Sequence, residues 1–459
     1  MRLASEDRRS ETRRRIAVGL ATATLASAAL FLGGALSSGS APELALHAPE
    51  PAALADRAAA SAQEPLARLL DGFSTGDTAG FARELERRLE SNPYDDESLK
   101  LLGLAYQQLA RETGDPTYYT LSARALARTR PDDPVAVAAR SSLANSRHRF
   151  LDALAIARRA VALDEENASA LGALGDALFN LGRYEGAFAA YDEMADLAPS
   201  VGSFARVAFA RELLGRPRAA VEAMELALEV GSNVPEYTAW ARVQLGNLHF
   251  AAGELGPALD AYRLALQAVP GYVHAEAGIA RVEAWQGRFD SAAIRLEGVL
   301  ERLPAPAYAI LRGDILAASG RDVEAQEAYA LVEALERLLA ANGIRTELET
   351  ALYDLDHNRD LSDALARAET AFTAAPSVRA EDVLAWAYLK NGRCGDARAH
   401  SVHALRFGTK DAQVLFHRGM IEQCLGDDKA ARRFLERALD TNPYFSLIHV
   451  PVAKEALSR

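Results

Sequence analysis

A cluster of potential metal ligands lies between residues 354 and 360. Asp354, Asp356, Asn358 and Asp360 present side-chain oxygens at alternate positions. A calcium loop uses the same spacing for its first four ligands. However, an arginine occupies the sixth position, where the loop needs glycine, and a leucine occupies the twelfth, where it needs a bidentate acid. The segment is therefore a candidate calcium site with two departures from the pattern, and a polar turn between two helices is favoured.

A second group of potential ligands is the pair His400 and His403, which share one face if the segment is helical. A zinc site would need at least one further protein ligand. The next histidine, His417, is expected on the opposite surface. The pattern therefore favours two solvated histidines, and we predict no metal.

Three common catalytic or nucleotide-binding motifs are absent from the sequence. It contains no HExxH, Walker-type or GxGxxG segment. No block outside the repeats described below is long enough to form an additional catalytic domain. We predict that the protein is not an enzyme and has no cofactor.

The composition indicates a folded, acidic protein. Of 459 residues, 49% are hydrophobic and 25% are charged, and the formal net charge is -12. Because phosphate backbones are bound by basic surfaces, this charge argues against a nucleic-acid partner. The two cysteines exclude a disulfide-rich scaffold.

The N-terminal region has the pattern of an export signal or membrane anchor. Residues 1–15 contain six arginines, and residues 16–36 carry no charge. At 1.5 Å per residue the uncharged segment would span about 31 Å, close to one hydrocarbon core. Both a transmembrane anchor and a cleaved signal peptide remain open. Either one predicts that the chain beyond residue 36 lies outside the cytoplasm. Residues 37–61 are rich in Ala, Pro and Ser and are predicted to be a linker.

From residue 62 onward the sequence repeats itself. Each unit contains two apolar stripes at helical spacing, with a glycine between them and often a proline after the second. Two units show the pattern most fully, at identical offsets. Their shared positions are Leu174, Gly175, Gly182, Tyr184, Ala187, Tyr191 and Pro199 in one, and Leu245, Gly246, Gly253, Leu255, Ala258, Tyr262 and Pro270 in the other.

These positions resemble the tetratricopeptide repeat, a 34-residue helix–turn–helix unit. About eleven units fit between residues 62 and 445, roughly 84% of the chain. The resemblance implies an all-α, right-handed solenoid superhelix, closed by a capping helix over residues 446–459. The whole pattern is also similar to exported or membrane-anchored bacterial tetratricopeptide proteins without an assigned activity.

The resemblance implies that the first helix of each unit lines a concave groove, where a peptide or a partner helix binds. The repeat frame places aromatic and Asn side chains there. Each of them could instead be an ordinary core residue. The predicted groove residues are Phe179, Asn180, Phe209, Trp240, Asn247, Phe250, Trp285, Tyr353, Trp386 and Phe416.

The two cysteines fall at helix ends that the resemblance brings together. Cys394 starts the second helix of one unit, and Cys424 ends the first helix of the next. These helices are antiparallel neighbours in such a stack, so the two thiols could form a disulfide if the domain is exported. Two free buried thiols are the favoured alternative.

The functional prediction is a protein- or peptide-binding scaffold on the extracytoplasmic side of a bacterial membrane. One alternative is a calcium- or small-ligand-binding envelope protein that uses residues 354–360. A second is a tetratricopeptide adaptor facing the cytoplasm. The partner's identity cannot be derived from the sequence.

Overall fold

The computed structural model describes residues 77–231 and 235–459. The predicted basic region (1–15), apolar segment (16–36), linker (37–61) and the first residues of the predicted repeat array (62–76) lie outside these residues. Within the described part, no helix is both long enough and apolar enough to cross a bilayer.

Twenty-two helices make up the regular structure of the described residues. The first eleven are α1 Thr78–Ser91, α2 Asp96–Thr113, α3 Thr117–Ala127, α4 Pro134–Ser146, α5 Phe150–Leu163, α6 Ala168–Asn180, α7 Tyr184–Leu197, α8 Val201–Leu213, α9 Pro217–Val230, α10 Pro235–Ala251 and α11 Leu255–Ala268. The remainder are α12 Val273–Trp285, α13 Phe289–Arg302, α14 Pro306–Ala318, α15 Asp322–Ala341, α16 Glu347–Asp356, α17 Leu361–Ala374, α18 Val378–Lys390, α19 Cys394–Ala404, α20 Ala412–Cys424, α21 Asp428–Thr441 and α22 His449–Ser458.

Helices α2 to α21 form ten consecutive hairpins, each packed against the next, with the seventh and eighth joined through side chains such as Tyr329 and Tyr353. Helix α1 precedes them, and α22 follows the last one. The predicted all-α solenoid is confirmed.

Local sequence signals begin and end these helices. Many first helices start at a residue whose side chain accepts a hydrogen bond from a backbone N–H of the first turn, as Asn167 does from Ala170 and Ser377 does from Ala380. Most hairpin turns need a left-handed residue, which is usually glycine, as at Gly182 with φ of +71°.

Small residues let the two helices of a hairpin approach. A Cβ on Gly175 of α6 would lie 2.4 Å from the ring of Tyr191 on α7, and Ala187 on the same helix is fully buried. The tyrosine ring therefore fills the space that the glycine leaves. Repetition of such contacts distributes the core along the whole solenoid.

The superhelix winds tightly enough for successive turns to touch, and we call this line of contact the seam. The Tyr184 hydroxyl accepts a hydrogen bond of 2.8 Å from the Val378 N–H, 194 positions away. The Asn442 side chain donates one of 2.9 Å to the Phe250 carbonyl, 192 positions away. These separations correspond to about 5.7 units of 34 residues, which is the length of one superhelical turn.

The seam joins hairpin turns of the first superhelical turn to inter-hairpin loops of the second, in sequential order. Both sides are short connections, so the two superhelical turns approach closely, through backbone atoms at Gly182 and through a Leu or Pro side chain at Gly114 and Gly253. The successive contacts are Gly114 with Leu303, Arg147 with Arg345, Gly182 with Pro376, and Gly253 with Pro443. Between the last two, the carboxyl groups of Glu212 and Asp411 lie close enough to interact electrostatically.

The seam also buries acidic groups. Burial raises the pKa of Glu212 to about 7. Burial raises the pKa of Asp411 well above its ordinary value, and the nearby Asp382 and Glu212 carboxylates add to the effect. Both groups therefore hold a proton more firmly in the folded state than in the unfolded chain.

We predict that Gly182→Ala destabilises the protein more than Gly287→Ala. Both glycines have positive φ, so alanine at either costs about 1–2 kcal/mol of backbone strain. A Cβ at Gly182 would also lie 2.4 Å from the Pro376 carbonyl oxygen, whereas one at Gly287 would meet nothing within 4 Å. The extra cost at Gly182 should be about 1–3 kcal/mol. Urea denaturation of both variants measures it, and equal losses would contradict a closed seam.

The raised pKa of Glu212 predicts a pH dependence of stability. Its proton favours the folded state, so the stabilisation is present below pH 4.5 and is lost as the pH rises through about 7. Glu212→Gln should match the wild type near pH 4 and exceed its stability at pH 8 by on the order of 1 kcal/mol. Denaturant midpoints at both pH values test this, with the exposed Glu225→Gln as the control. Parallel profiles for wild type and Glu212→Gln would contradict it.

Candidate functional site

A cavity of about 2180 Å³ lies inside the superhelix. Its wall extends along the chain from Gln108 to Ile448 and comes mainly from the first helices of the hairpins and the loops beside them. Small-molecule pockets typically measure about 300–1,000 Å³. The cavity is therefore large enough for a polymeric ligand such as a peptide segment.

The predicted groove residues divide into two sets. Eight line the cavity: Phe179, Asn180, Phe209, Trp240, Asn247, Phe250, Trp285 and Tyr353. The other two, Trp386 and Phe416, are 3% and 1% exposed and belong to the core near the C-terminus. There His449 of α22 stacks on Phe416, with ring centroids 4.7 Å apart.

Four of the aromatic lining residues, Phe179, Phe209, Trp240 and Trp285, are only partly buried. Neighbouring rings orient two of them. Phe179 packs edge-on against Tyr184 at 5.2 Å, and Trp285 packs edge-on against Tyr444 at 5.5 Å. These are rigid apolar surfaces of the kind that anchor peptide side chains.

The remaining lining residues of the predicted set are engaged in internal contacts. The Asn247 side-chain oxygen accepts hydrogen bonds from Tyr262 at 2.9 Å and Arg281 at 3.0 Å. Arg281 in turn lies 3.8 Å above the centre of the Phe250 ring. Asn180 donates to the Asp176 carbonyl oxygen at 2.8 Å. These side chains hold the wall together, so they do not offer all their polar groups to a ligand.

The cavity lining is acidic. It contains thirteen Asp and Glu residues against seven Arg and Lys residues. Burial raises the pKa of several of these acids, including Glu236, which accepts a hydrogen bond from Tyr272. A nearby positive charge favours the ionised carboxylate, so a cationic ligand would increase the negative charge of the wall. The lining therefore favours cationic over anionic ligands.

The structure separates the four candidate calcium ligands. Asp354 pairs with Arg367 and Arg359, and the Asn358 oxygen accepts a hydrogen bond from the Lys390 ammonium at 2.7 Å. Asp356 is the last residue of α16 and accepts a hydrogen bond from the Trp386 indole N–H at 2.9 Å. Asp360 precedes α17 with φ of +35°. Asp354, Asp356 and Asn358 thus each have a different partner.

The histidine pair and the cysteines lie in the last hairpins. The Nδ1 atoms of His400 and His403 lie 2.6 Å and 3.4 Å from the two carboxylate oxygens of Glu381. His417 is not on a surface: its side chain is fully buried. A disulfide joins Cys394 to Cys424, whose Cα atoms are 6.1 Å apart.

The sequence reasoning missed one cluster of polar residues. One potential ligand atom from each of Asp356, His417 and His449 lies within 4.8 Å of the other two. The three residues are widely separated in the sequence, so no local spacing could have indicated them. The only available signal was the repeat frame, which placed the neighbouring Trp386 and Phe416 on the inner face.

Comparisons with known proteins identify the repeats. Residues 139–201 match the model of the tetratricopeptide repeat, and residues 215–357 match that of a tetratricopeptide repeat-like domain. No curated protein matches the chain.

Several solved structures resemble the chain at low identity. A human IFIT1 dimer with m7Gppp-AAAA is 14% identical over 86% of this chain and 96% of that one, with a TM-score of 0.46. PilW, a type IV pilus biogenesis factor, is 19% identical over 44% of this chain and 92% of that one, with a TM-score of 0.37. A tetratricopeptide repeat protein from Parabacteroides merdae is 15% identical over 56% of this chain and 97% of that one, with a TM-score of 0.33. We draw no functional conclusion from these likenesses.

The repeat hairpins, the glycine turns between their helices and the two matching family models agree on one classification. Such repeats generally form non-enzymatic scaffolds for protein interaction. The chain is a tetratricopeptide-repeat protein.

Proposed function

We propose that this protein is a scaffold that holds an extended, basic peptide segment of a partner protein inside its superhelical cavity. The observation that carries the proposal is the lining itself, in which partly buried aromatic rings stand among an excess of carboxylates. Aromatic surfaces provide anchors for apolar side chains, and carboxylates pair with Lys and Arg.

The charge and the size of the cavity favour an extended basic peptide over a nucleic acid or a single small molecule. A nucleic acid would bring phosphates toward a wall on which acidic side chains outnumber basic ones, which is electrostatically unfavourable. A single small molecule would fill only part of a cavity of about 2180 Å³. An extended peptide can follow the cavity across several hairpins and use several aromatic anchors at once.

We also propose that the repeats act outside the cytoplasm, attached to or secreted across a membrane. The disulfide between Cys394 and Cys424 supports this location, because structural disulfides persist mainly in oxidising compartments. The arginine-rich residues 1–15 and the uncharged residues 16–36 support the same orientation. In the cytoplasm both cysteines would be kept as reduced thiols, so the disulfide argues against a cytoplasmic adaptor.

We predict that a twelve-residue peptide alternating Lys with Phe binds this protein, and that the matching Glu–Phe peptide does not. Trp240→Ala and Trp285→Ala should each weaken binding by tenfold or more, because both rings line the cavity. Fluorescence polarisation with labelled peptides measures the affinities, and thermal melting confirms that each variant folds.

Tyr94→Ala is the matched control, since Tyr94 is 90% exposed and lies outside the cavity. It should leave the affinity unchanged. Equal binding of the Lys and Glu peptides would contradict the electrostatic part of the proposal. Unchanged affinity in both tryptophan variants would contradict the cavity as the binding site.

The proposed location gives a separate prediction. In bacteria producing the full-length chain, Cys394 and Cys424 should react with a maleimide only after reduction. Deletion of residues 1–36 should keep the repeats in the cytoplasm and leave both thiols reactive without reductant. Gel shifts of the alkylated protein report the difference. Reactive thiols in the full-length chain would contradict export.

A further inference from the structure

A buried polar cluster near the C-terminus has the composition of a metal site. Asp356 ends α16, His417 lies in α20, and His449 begins α22, so three separate elements supply the side chains. The His417 side chain is fully buried and that of His449 is 4% exposed. One potential ligand atom from each residue lies within 4.8 Å of the other two.

The imidazole nitrogens in this cluster are incompletely hydrogen-bonded. His417 Nε2 and both ring nitrogens of His449 are buried without a hydrogen-bond partner. His449 Nε2 lies 3.5 Å from Asp356 Oδ1. Buried polar side chains usually have partners, so three orphaned nitrogens around one carboxylate suggest a missing ligand.

The surroundings of His417 match those of a metal-binding histidine. Its Nδ1 lies 3.0 Å from Asp382 Oδ2 and 3.2 Å from Oδ1. Because a carboxylate only accepts hydrogen bonds, Nδ1 carries the proton and the Nε2 lone pair is left available. Metal-binding histidines are commonly oriented in this way by a carboxylate behind the ring.

Trp386 fixes the other side of the cluster. Its ring stacks on His417 with centroids 4.3 Å apart and planes 14° from parallel, and its indole N–H donates to Asp356 Oδ1. One side chain thus orients two of the three potential ligands. Such preorganisation is expected of a binding site.

We propose that Asp356, His417 and His449 bind a single divalent transition-metal ion of the zinc class. Two imidazoles and one carboxylate are a common three-residue zinc set, which leaves a fourth position for water or another ligand. Bond lengths of about 2.0–2.2 Å would bring the ligand atoms to roughly 3.3 Å from one another. The most widely separated ligand atoms must therefore close by at most about 1.5 Å around the ion, and the 3.5 Å between His449 Nε2 and Asp356 Oδ1 is already close to that value.

The site is placed where the cavity could supply the ion. Asp356 and Asp382 belong to the cavity lining, whereas His417 and His449 lie behind it. A bound ion would link α16, α20 and the terminal helix α22 at the wall. The proposal does not depend on peptide binding, and the two can fail separately.

The test is a titration of the full-length, chelator-treated protein with Co²⁺, followed by displacement with Zn²⁺. We expect one equivalent of Co²⁺ to bind, with visible absorption bands, and to quench the fluorescence of Trp386 because that ring touches two ligands. Trp386→Phe should bind Co²⁺ but lose most of the quenching. Zn²⁺ should raise the thermal midpoint of the wild type.

Substitutions at the cluster separate a metal site from an ordinary buried network. His417→Ala and His449→Ala should each weaken Co²⁺ binding at least a hundredfold, and Asp382→Asn, which changes a positioning residue, about 10–100-fold. His400→Ala is the matched control and should bind as the wild type does, since His400 contacts Glu381. If the alanine variants fail to fold, Asp356→Asn replaces them, because asparagine has nearly the same shape as aspartate. This variant should also abolish tight Co²⁺ binding.

The proposal is overturned if the wild type binds neither ion at one equivalent. It is also overturned if binding is the same in the wild type, Asp356→Asn and Asp382→Asn, or if His400→Ala removes it. Retained peptide binding in a variant without metal affinity would separate the two sites.

Discussion

The contact between successive superhelical turns determines whether the inner surface is an open groove or the wall of a cavity. A tetratricopeptide solenoid with a wide pitch presents an open groove, but here short turns meet short loops along the seam. The approach at Gly182 leaves no room for a Cβ beside the Pro376 carbonyl. Hydrogen bonds from Val378 and Asn442 then join the two turns. The inner surface therefore becomes the wall of a cavity.

This closure limits how a ligand can bind. A peptide bound as we propose could reach the cavity only along the superhelical axis or after the turns separate. Separation would break the seam hydrogen bonds and expose buried acids such as Glu212 and Asp411. An extended chain can follow the axis, whereas a folded domain would require the seam to open. A linear peptide is therefore the ligand that we propose, and the size and the aromatic lining of the cavity support this proposal.

The C-terminal hairpins combine several stabilising features. The disulfide ties α19 to α20, and α22 packs its first residue against the rings of Trp386 and Phe416. In this position α22 occupies the inner face itself, which explains why two predicted groove aromatics became core residues. The same packing brings His449 to Asp356 and His417 and so creates the cluster for which we propose a metal ion.

The sequence by itself determined the repeat unit, the helical hairpins and the aromatic character of the inner face. These depend on spacings within 34 residues, where apolar periodicity and left-handed glycines act locally. Eight of the ten inner-face positions derived from the repeat frame line the cavity. Only the tertiary structure decided the seam, the burial of Trp386 and the meeting of Asp356 with His417 and His449. Each depends on the pitch of the superhelix or the docking of its last helix, and small rotations accumulated over many repeats set the pitch.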